Sequence, residues 1–497
     1  MAGLRLRKPE PFDPPEGSYL LAIGEQRFVG KLDRIWLTPG HARAHMLVLG
    51  QTNSGKTKLL EAICRQYVAR GQPFCLVDLH GDLATSLRMH IAALPQQQRD
   101  AAAKRLVWLD AADPERTATF NPLAAAEPAD AATQLLELVA AFRRHWSDSW
   151  GPRLADLLHH SLATLQANGL TLAEAPVLLG DKPVRQTLLR GERVPEVTRD
   201  YFRFRFDALS RRDQVFISES SSNKLGALLS DFRVRTLLGD PHATFSAREA
   251  LKEGQMVLAR IPRGALVENA DLVASMLLAA VHTAALARVS EPPERRRPFV
   301  LILDEAQVAS TETFPQLLAG ARAFGLSAIC GVQYLEQLPR GLAEALLANC
   351  RVLVCFKVGR RDADRMAREL FAADGDHVKF IERDLLGSRK SRPMFWSVGE
   401  EREYHARSLQ DQLPGECVIQ LGTGMPWFAE SIAVEPPEPS KEGSRSVARA
   451  VRPRLRSRAA IEEAIANRRE RLQTQPLTTT QKGGDSHDPD DAVEALA

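Results

Sequence analysis

Hydrophobic and polar positions change rhythm along this chain, and the changes mark its organisation. Short continuous apolar runs come first: Met46 to Leu49 before Gly50, Phe74 to Val77 before Asp78, Leu106 to Leu109 before Asp110. Runs of this length without alternation fit strands buried on both faces, as in parallel sheets. Between them, Lys58 to Arg70 and Leu83 to Leu94 carry helical spacing. Strand and helix alternate, so the pattern predicts an α/β fold with a mainly parallel sheet. Two short strands, Tyr19 to Ile23 and Ile35 to Leu37, are expected ahead of it.

From about Ala124 to Gly239 the strand signal vanishes. Apolar residues recur at helical spacing instead, as in Leu135, Leu136, Leu138, Val139 and Phe142, then Leu154, Leu157, Leu158, Leu162 and Leu165. That stretch is too long for one crossover connection, so an all-α domain inserted into the α/β domain is expected. Strand signals resume at Met256 to Ile261, Phe299 to Asp304, Ala328 to Val332 and Val352 to Phe356. Past about Val434 the chain turns to Pro, Ser, Arg and Glu; between Lys441 and Arg471 ten Lys/Arg stand against four Asp/Glu. This reads as a flexible tail, basic and then acidic, or as a lone helix from Ile461 to Leu472. The expected organisation is residues 1–45 as strands leading into the core, 46–123 with 240–434 as the α/β domain, 124–239 as the helical insertion and 435–497 as the tail.

Composition narrows the class rather than the function. With 497 residues there is room for two or three domains, and 44% hydrophobic with 26% charged residues is ordinary for a soluble protein. The formal charge of +3 is too small to be diagnostic. Six cysteines are scattered without a Cys-x-x-Cys pair, which fits reduced thiols rather than disulfides or zinc. The longest uncharged apolar stretch, Leu272 to Ala287, falls short of the ~20 residues that span a bilayer and reads as a buried helix. Met1 to Pro15 is charged and Pro-rich, unlike a secretory signal. A cytoplasmic location without direct membrane insertion is expected, with any attachment to the inner membrane made through a partner.

The chemistry begins at Gly50-Gln51-Thr52-Asn53-Ser54-Gly55-Lys56-Thr57, a G-x-x-x-x-G-K-T loop between an apolar strand and a helix. Such a turn aims backbone N–H groups and a helix N-terminus at one point, which suits phosphates. Gly50, Thr52, Asn53, Ser54, Gly55, Lys56, Thr57 and Lys58 are therefore candidates for binding ATP. Lys56 would reach the β- and γ-phosphates, and the Thr57 hydroxyl would hold Mg²⁺.

Phe299 to Leu303 leads into Asp304-Glu305. Beside a phosphate loop, Asp304 suits Mg²⁺ binding and Glu305 suits a general base that activates water. A solvated loop entry is the plainer reading of the pair taken alone. Gln333 ends the next apolar run, where a neutral amide could sense the γ-phosphate; a simple polar strand end is the competing reading. Arg351 starts the following run and is the candidate for a cation acting on a neighbouring subunit's γ-phosphate, with Arg360 and Arg361 behind it. A solvated strand-end arginine explains each of them equally well. His80 and Asp82 lack metal-ligand spacing, and His159-His160 fits packing. The basic tail could follow a nucleic-acid backbone or be a solvated helix.

Seven motifs in order carry a resemblance: His-Met-Leu-Val-Leu-Gly-Gln-Thr-Asn-Ser-Gly-Lys-Thr at 45–57, Val-Asp-Leu-His-Gly-Asp-Leu at 77–83, Phe-Asn-Pro-Leu at 120–123, Ser-Trp-Gly-Pro-Arg-Leu-Ala-Asp-Leu-Leu at 149–158, Leu-Ile-Leu-Asp-Glu-Ala-Gln at 301–307, Gly-Val-Gln-Tyr-Leu-Glu-Gln-Leu at 331–338 and Phe-Lys-Val-Gly-Arg-Arg-Asp-Ala-Asp at 356–364. Over roughly residues 30 to 430 the chain resembles the HerA/FtsK superfamily of DNA-pumping ATPases. It is most similar there to the TraG/TraD-type coupling proteins of conjugation and type IV secretion. The resemblance implies a RecA-like P-loop core, an inserted all-α domain, a homohexameric ring with ATP between subunits and DNA in a central channel. It places Asp304, Glu305 and Gln333 at the family's acidic and sensor positions. Membrane-bound members begin with transmembrane helices, which this sequence lacks, so a membrane-anchor partner or a soluble role on DNA is implied, with a relaxase or nuclease as a further possible partner. Lys357, Lys390 and Arg392 are candidates for the channel by charge and loop position only. Two other readings stand beside the DNA motor: a protein-secretion or pilus-assembly ATPase, and a nucleotide-gated oligomeric scaffold in a defence system.

Overall fold

The computed structural model describes residues 21–474 except 29–30, 125–127, 312, 373–377, 383–391 and 433. In chain order its strands are β1 (Leu21–Phe28), β2 (Lys31–Leu37), β3 (His45–Leu49), β4 (Phe74–Asp78), β5 (Leu106–Asp110), β6 (Arg116–Thr117), β7 (Met256–Arg260) and β8 (Phe299–Leu303). They continue with β9 (Leu326–Val332), β10 (Cys350–Phe356), β11 (Val378–Glu382), β12 (Arg392–Phe395), β13 (Glu416–Leu421), β14 (Trp427–Glu430) and β15 (Arg456–Ser457). Contacts group the chain into two units. One holds the described residues up to Arg70, Val300–Gln307 and Leu326–Pro436; the other holds Gly71–Phe299, Val308–Gly325 and the described residues from Pro437 onward.

In the first unit the strand order is β2-β1-β14-β13-β10-β3-β9-β8. β3 lies parallel to both β10 and β9, with Leu49 opposite Cys355 and Val332. Every residue of β3, β8 and β9 is buried, as the unbroken apolar runs require. The β1–β2 hairpin, β14 and β13 continue the sheet antiparallel. The fold is thus mixed and mainly parallel around β3, and parallel strands deliver their following loops to one edge.

The second unit contains β4-β7-β5, parallel and in register. No strand occurs among its described residues between Thr117 and Met256. Helices Pro128–His145, Pro152–Ala167, Arg211–Ser230 and several shorter ones fill that span, and Leu138, Phe142, Leu157, Leu158, Leu162 and Leu165 are buried. Leu136 is the exception at 62% exposed, because it faces away from the stripe shared by Leu135, Leu138 and Phe142. Helix Asn269–Leu286 lies within a span, Asn269–Ser290, long and apolar enough to cross a membrane, but 78% of that span is covered by the surrounding protein.

The basic segment after Pro436 is largely helical as far as Thr474, in line with the expected helix at Ile461 to Leu472 rather than with a flexible tail, and it is packed rather than lone. Helix Lys441–Val451 packs against helix Asp82–Ala93 so closely that a Cβ on Gly443 would stand 2.0 Å from the carbonyl of Ala92. Helix Arg458–Thr474 buries Ile461 and Ile465 against Ala173. Its Arg468 pairs with buried Glu174 at 3.0 Å, and its Glu462 receives Arg235 of helix Phe232–Leu238. The acidic end, 475–497, lies outside the described residues, as does Lys390.

Candidate functional site

The loop Gly50–Thr57 is held on both sides by the ends of neighbouring strands. The Gly50 N–H donates to the carbonyl of Val332, at the end of β9, and the Gln51 N–H donates to that of Lys357, just past β10. Gly50 is required by space: a Cβ there would meet Phe356 Cβ at 2.7 Å and Ser54 Oγ at 2.6 Å. Gly55 is required by conformation as well, with φ of 113° and Phe356 and the Gly415 backbone within 3.2 Å of an added Cβ. Asn53 takes φ of 63°, in the left-handed region that asparagine tolerates. Helix Lys56–Arg70 then starts at the lysine itself. Its first N–H groups form the anion-binding end of the site.

Lys56 is buried, and its Nζ donates to the carbonyl of Asp304 at 3.5 Å. The Thr57 hydroxyl donates to Asp304 Oδ1 at 3.3 Å. Two residues 247 positions apart thus meet because β8 ends at the same edge as β3. Gly331 in β9 makes the approach possible, since any Cβ there would stand 2.5 Å from the Asp304 carbonyl. Asp304 and Glu305 are both buried. Gln333 Nε2 donates to Glu305 Oε1 at 3.1 Å, and Gln307 Nε2 donates to Glu305 Oε2 at 2.7 Å. The structure therefore gathers Lys56, Thr57, Asp304, Glu305 and Gln333 at one edge of the sheet. Hard oxygen donors at Thr57 and Asp304 are the kind that Mg²⁺ takes.

Other expected residues stand elsewhere. The Lys58 side chain turns back along its helix to Glu61 at 3.0 Å. Arg351 is the second residue of β10, whose register puts Cys350 opposite His45 and Val352 opposite Met46 at the start of β3. It is exposed at the sheet edge opposite the loop, roughly 16 Å of extended strand away. The structure does not bring it to the loop within one chain. There its carbonyl accepts the Gly422 N–H, and its charge, after burial, helps hold the His41 ring below the usual histidine range. Arg360 and Arg361 start helix Arg360–Leu370 on the loop's own edge but are engaged, Arg360 with Asp364 and Glu403, Arg361 with Glu336. Those bonds, Arg360 first and then Arg407, hold the Glu403 carboxyl down to about 2.

In the second unit, the Asp78 carboxylate accepts the N–H groups of His80, Gly81 and Ala84, so it shapes its own turn and opens helix Asp82–Ala93. His160 packs, stacked on Tyr201 at 4.2 Å. All six cysteines are buried. Burial pushes the Cys75, Cys330 and Cys417 thiols up to about 12, which excludes them as nucleophiles at neutral pH.

Residues not anticipated from the sequence complete the setting. Gly415, at φ of 92°, donates its N–H to the Ser54 carbonyl at 2.8 Å. A Pro-Gly turn signal was present at 414–415, but nothing in the sequence ties that turn to the loop. Buried Asp362 accepts the Leu335 N–H, and burial raises its carboxyl above the ordinary range.

The family profile of the type IV secretion-system coupling protein DNA-binding domain matches residues 217–420. No curated protein sequence matches the chain. Among solved structures, the unbound monoclinic form of the bacterial conjugative coupling protein TrwB is 17% identical, over 86% of this chain and 91% of that one, with a TM-score of 0.57. TrwB in complex with ADP and Mg²⁺ is 18% identical, over 81% and 88%, with a TM-score of 0.51. VirB4 of Thermoanaerobacter pseudethanolicus is 13% identical, over 85% and 98%, with a TM-score of 0.52. At these identities the likeness is one of fold. The chain thus has the fold of the conjugative coupling proteins, and its residues 217–420 match the family model of the type IV secretion-system coupling protein DNA-binding domain.

Proposed function

We propose that this protein is an ATP-driven DNA translocase, working as one subunit of a homohexameric ring. The observation that carries the reading is the meeting of Lys56 and Thr57 with Asp304, and of Glu305 with Gln333, at one sheet edge. ATP lies with its phosphates on the N–H groups where the loop enters helix Lys56–Arg70, since those of Gly50, Gln51 and Ser54 bond within the protein. Lys56 stabilises the β- and γ-oxygens, and Glu305 takes the proton of the water that attacks the γ-phosphorus. Gln333 orients the same carboxylate through its amide. The Thr57 hydroxyl and the Asp304 carboxylate hold Mg²⁺, which when bound neutralises charge on the phosphate oxygens.

DNA as the translocated polymer is supported by the family description of residues 217–420 and by the shared TrwB fold. Nucleotide and Mg²⁺ binding is supported by TrwB complexes with ADP and Mg²⁺ and with a GTP analogue. The trans-acting cation is an arginine of the neighbouring subunit. Arg351, exposed on the far edge, remains the candidate because its role needs no approach to its own loop. A cytoplasmic site of action is part of this reading.

The second reading is a protein-secretion ATPase, which the secretion-system description of the family matched at residues 217–420 leaves open. ATP turnover measured with and without single- and double-stranded DNA separates the two. Stimulation by DNA is expected. Turnover unchanged by either form would sink the DNA motor and leave the secretion reading.

A further inference from the structure

Glu305 is held from both sides, and the second support belongs to a chain of amides leading out of the site. Gln307 Nε2 donates to Glu305 Oε2 at 2.7 Å, and Gln337 Nε2 donates to Gln307 Oε1 at 3.2 Å. The direction of this chain follows from chemistry. A carboxylate only accepts, so Gln307 must turn its NH₂ toward Glu305. Its carbonyl then faces away and needs a donor, which Gln337 supplies. A Gln307 amide turned the other way would oppose oxygen to oxygen and repel the carboxylate.

Gln337 sits on the short turn Leu335–Gln337 that follows Gln333. Buried Asp362 fixes that turn by accepting the Leu335 N–H. Tyr334 and Glu336 on the same turn are exposed, and Glu336 reaches Arg361. One short segment, 333–337, therefore holds both oxygens of Glu305, Gln333 directly and Gln337 through Gln307.

Resting on the reading of Glu305 as the general base, the geometry points to Gln307 and Gln337 as positioning residues for its carboxylate. Gln307 holds Oε2 and Gln337 sets which way the Gln307 amide faces. Neither touches the reacting atoms, so their loss lowers kcat and leaves nucleotide binding in place. A displacement of the 334–337 turn removes the last donor and releases Glu305 from the proper orientation.

The test is steady-state ATP turnover by the full chain, with affinity for a fluorescent ATP analogue measured alongside. Gln307→Ala is expected to lower kcat about 10- to 100-fold with KM and analogue affinity within about threefold, the split of a lost orientation. Gln337→Ala is expected to lower kcat about threefold to tenfold. The decisive pair is Gln337→Lys and Gln337→Glu. The lysine keeps a donor and holds kcat within about twofold of wild type, whereas the near-isosteric glutamate offers only acceptors and falls below Gln337→Ala. A merely structural role would treat the alanine and glutamate changes alike. Turnover by the wild type with kcat unchanged in Gln307→Ala and Gln337→Ala, or with Gln337→Glu no worse than Gln337→Ala, overturns the inference alone. A wild type that binds the analogue but never turns over ATP overturns the reading of Glu305 and this inference with it.

Discussion

The N–H of Gly415 donates to the carbonyl of Ser54 at 2.8 Å, bringing the turn before β13 against the phosphate-loop backbone. The contact uses a carbonyl of the loop and takes none of its N–H groups. Gly55 presses on the same turn, with an added Cβ 3.2 Å from Gly415 Cα and 3.1 Å from Phe356 Cε1. Gly55→Ala combines a left-handed backbone with two close contacts and is expected to weaken ATP binding at least tenfold, about 1.4 kcal/mol or more. Gly415→Ala meets open space, so only its φ is strained and a loss of about 1 kcal/mol of stability is expected. Titration of a fluorescent nucleotide and urea unfolding check the two. A Gly55→Ala protein that binds as tightly as wild type would break the account of the loop.

Lys56 provides a sharper separation of binding from folding. A ligand present at 100 times its Kd stabilises the folded state by about 2.7 kcal/mol, so MgATP is expected to raise the wild-type Tm by several degrees. Lys56→Met keeps the stem and removes the ammonium, and the nucleotide-dependent rise is expected to disappear. Glu305→Gln is expected to keep that rise and lose turnover by at least about a hundredfold, because a neutral amide cannot take the proton. Differential scanning fluorimetry beside a phosphate-release assay distinguishes the outcomes. Loss of the Tm shift in Glu305→Gln would mean that the acid binds nucleotide rather than activating water.

Most of the site was legible because it follows from one rule, that a buried parallel strand ends where its polar residues begin. Val48-Leu49-Gly50, Leu303-Asp304-Glu305 and Val332-Gln333 all obey it, and all converge. The same rule could have placed Arg351, since a residue that starts a parallel strand lies at the opposite edge from one that ends it. Gln307 was hidden because a neutral amide two positions past an acid has no pattern of its own. The antiparallel return of β13 and β14 was invisible because Glu416–Leu421 and Trp427–Glu430 are short and only partly buried. Arginine-rich residues 452–471 looked solvated because sequence counts charges and cannot show the carbonyls waiting for them.

His160 gives the helical segment a pH dependence with a definite sign. It is buried, its Nδ1 lies 3.1 Å from Thr198 Oγ1, and it stacks on Tyr201. Burial first, then His159 and Arg205, hold its pKa down to about 4, against the opposing charge of Asp156. The unfolded chain binds the proton more tightly, so full stability is present above about pH 6.5 and is lost as pH falls toward 4. The shift corresponds to on the order of 3 kcal/mol. His160→Gln, which cannot titrate, is expected to flatten the stability curve between pH 6.5 and 4. Urea unfolding monitored at several pH values checks this, and an unchanged slope in the variant would assign the acid sensitivity elsewhere.

The guanidinium of Arg458 is divided between carbonyls at and just past the end of β5 and acceptors on helix Phe232–Leu238. It is fully buried. Nη2 donates to the carbonyls of Asp110 and Ala111, Nε to that of Asp113, and Nη1 to Arg233 and the Thr236 hydroxyl. Burial pushes its pKa down to about 10, so it stays charged at neutral pH. One side chain thus ties helix Phe232–Leu238 and the β5 turn to the start of the C-terminal helix. A fork of five N–H donors fills these positions, and a lysine has one head that cannot reach both sides. Arg458→Ala strands several buried carbonyls and is expected to cost about 3–5 kcal/mol; Arg458→Lys is expected to recover less than half. Amide exchange should rise first at residues 110–117 and 232–238, the segments that lose their donor. If Arg458→Lys proved as stable as wild type, charge alone would suffice and the fork geometry would not be what holds this end of the chain.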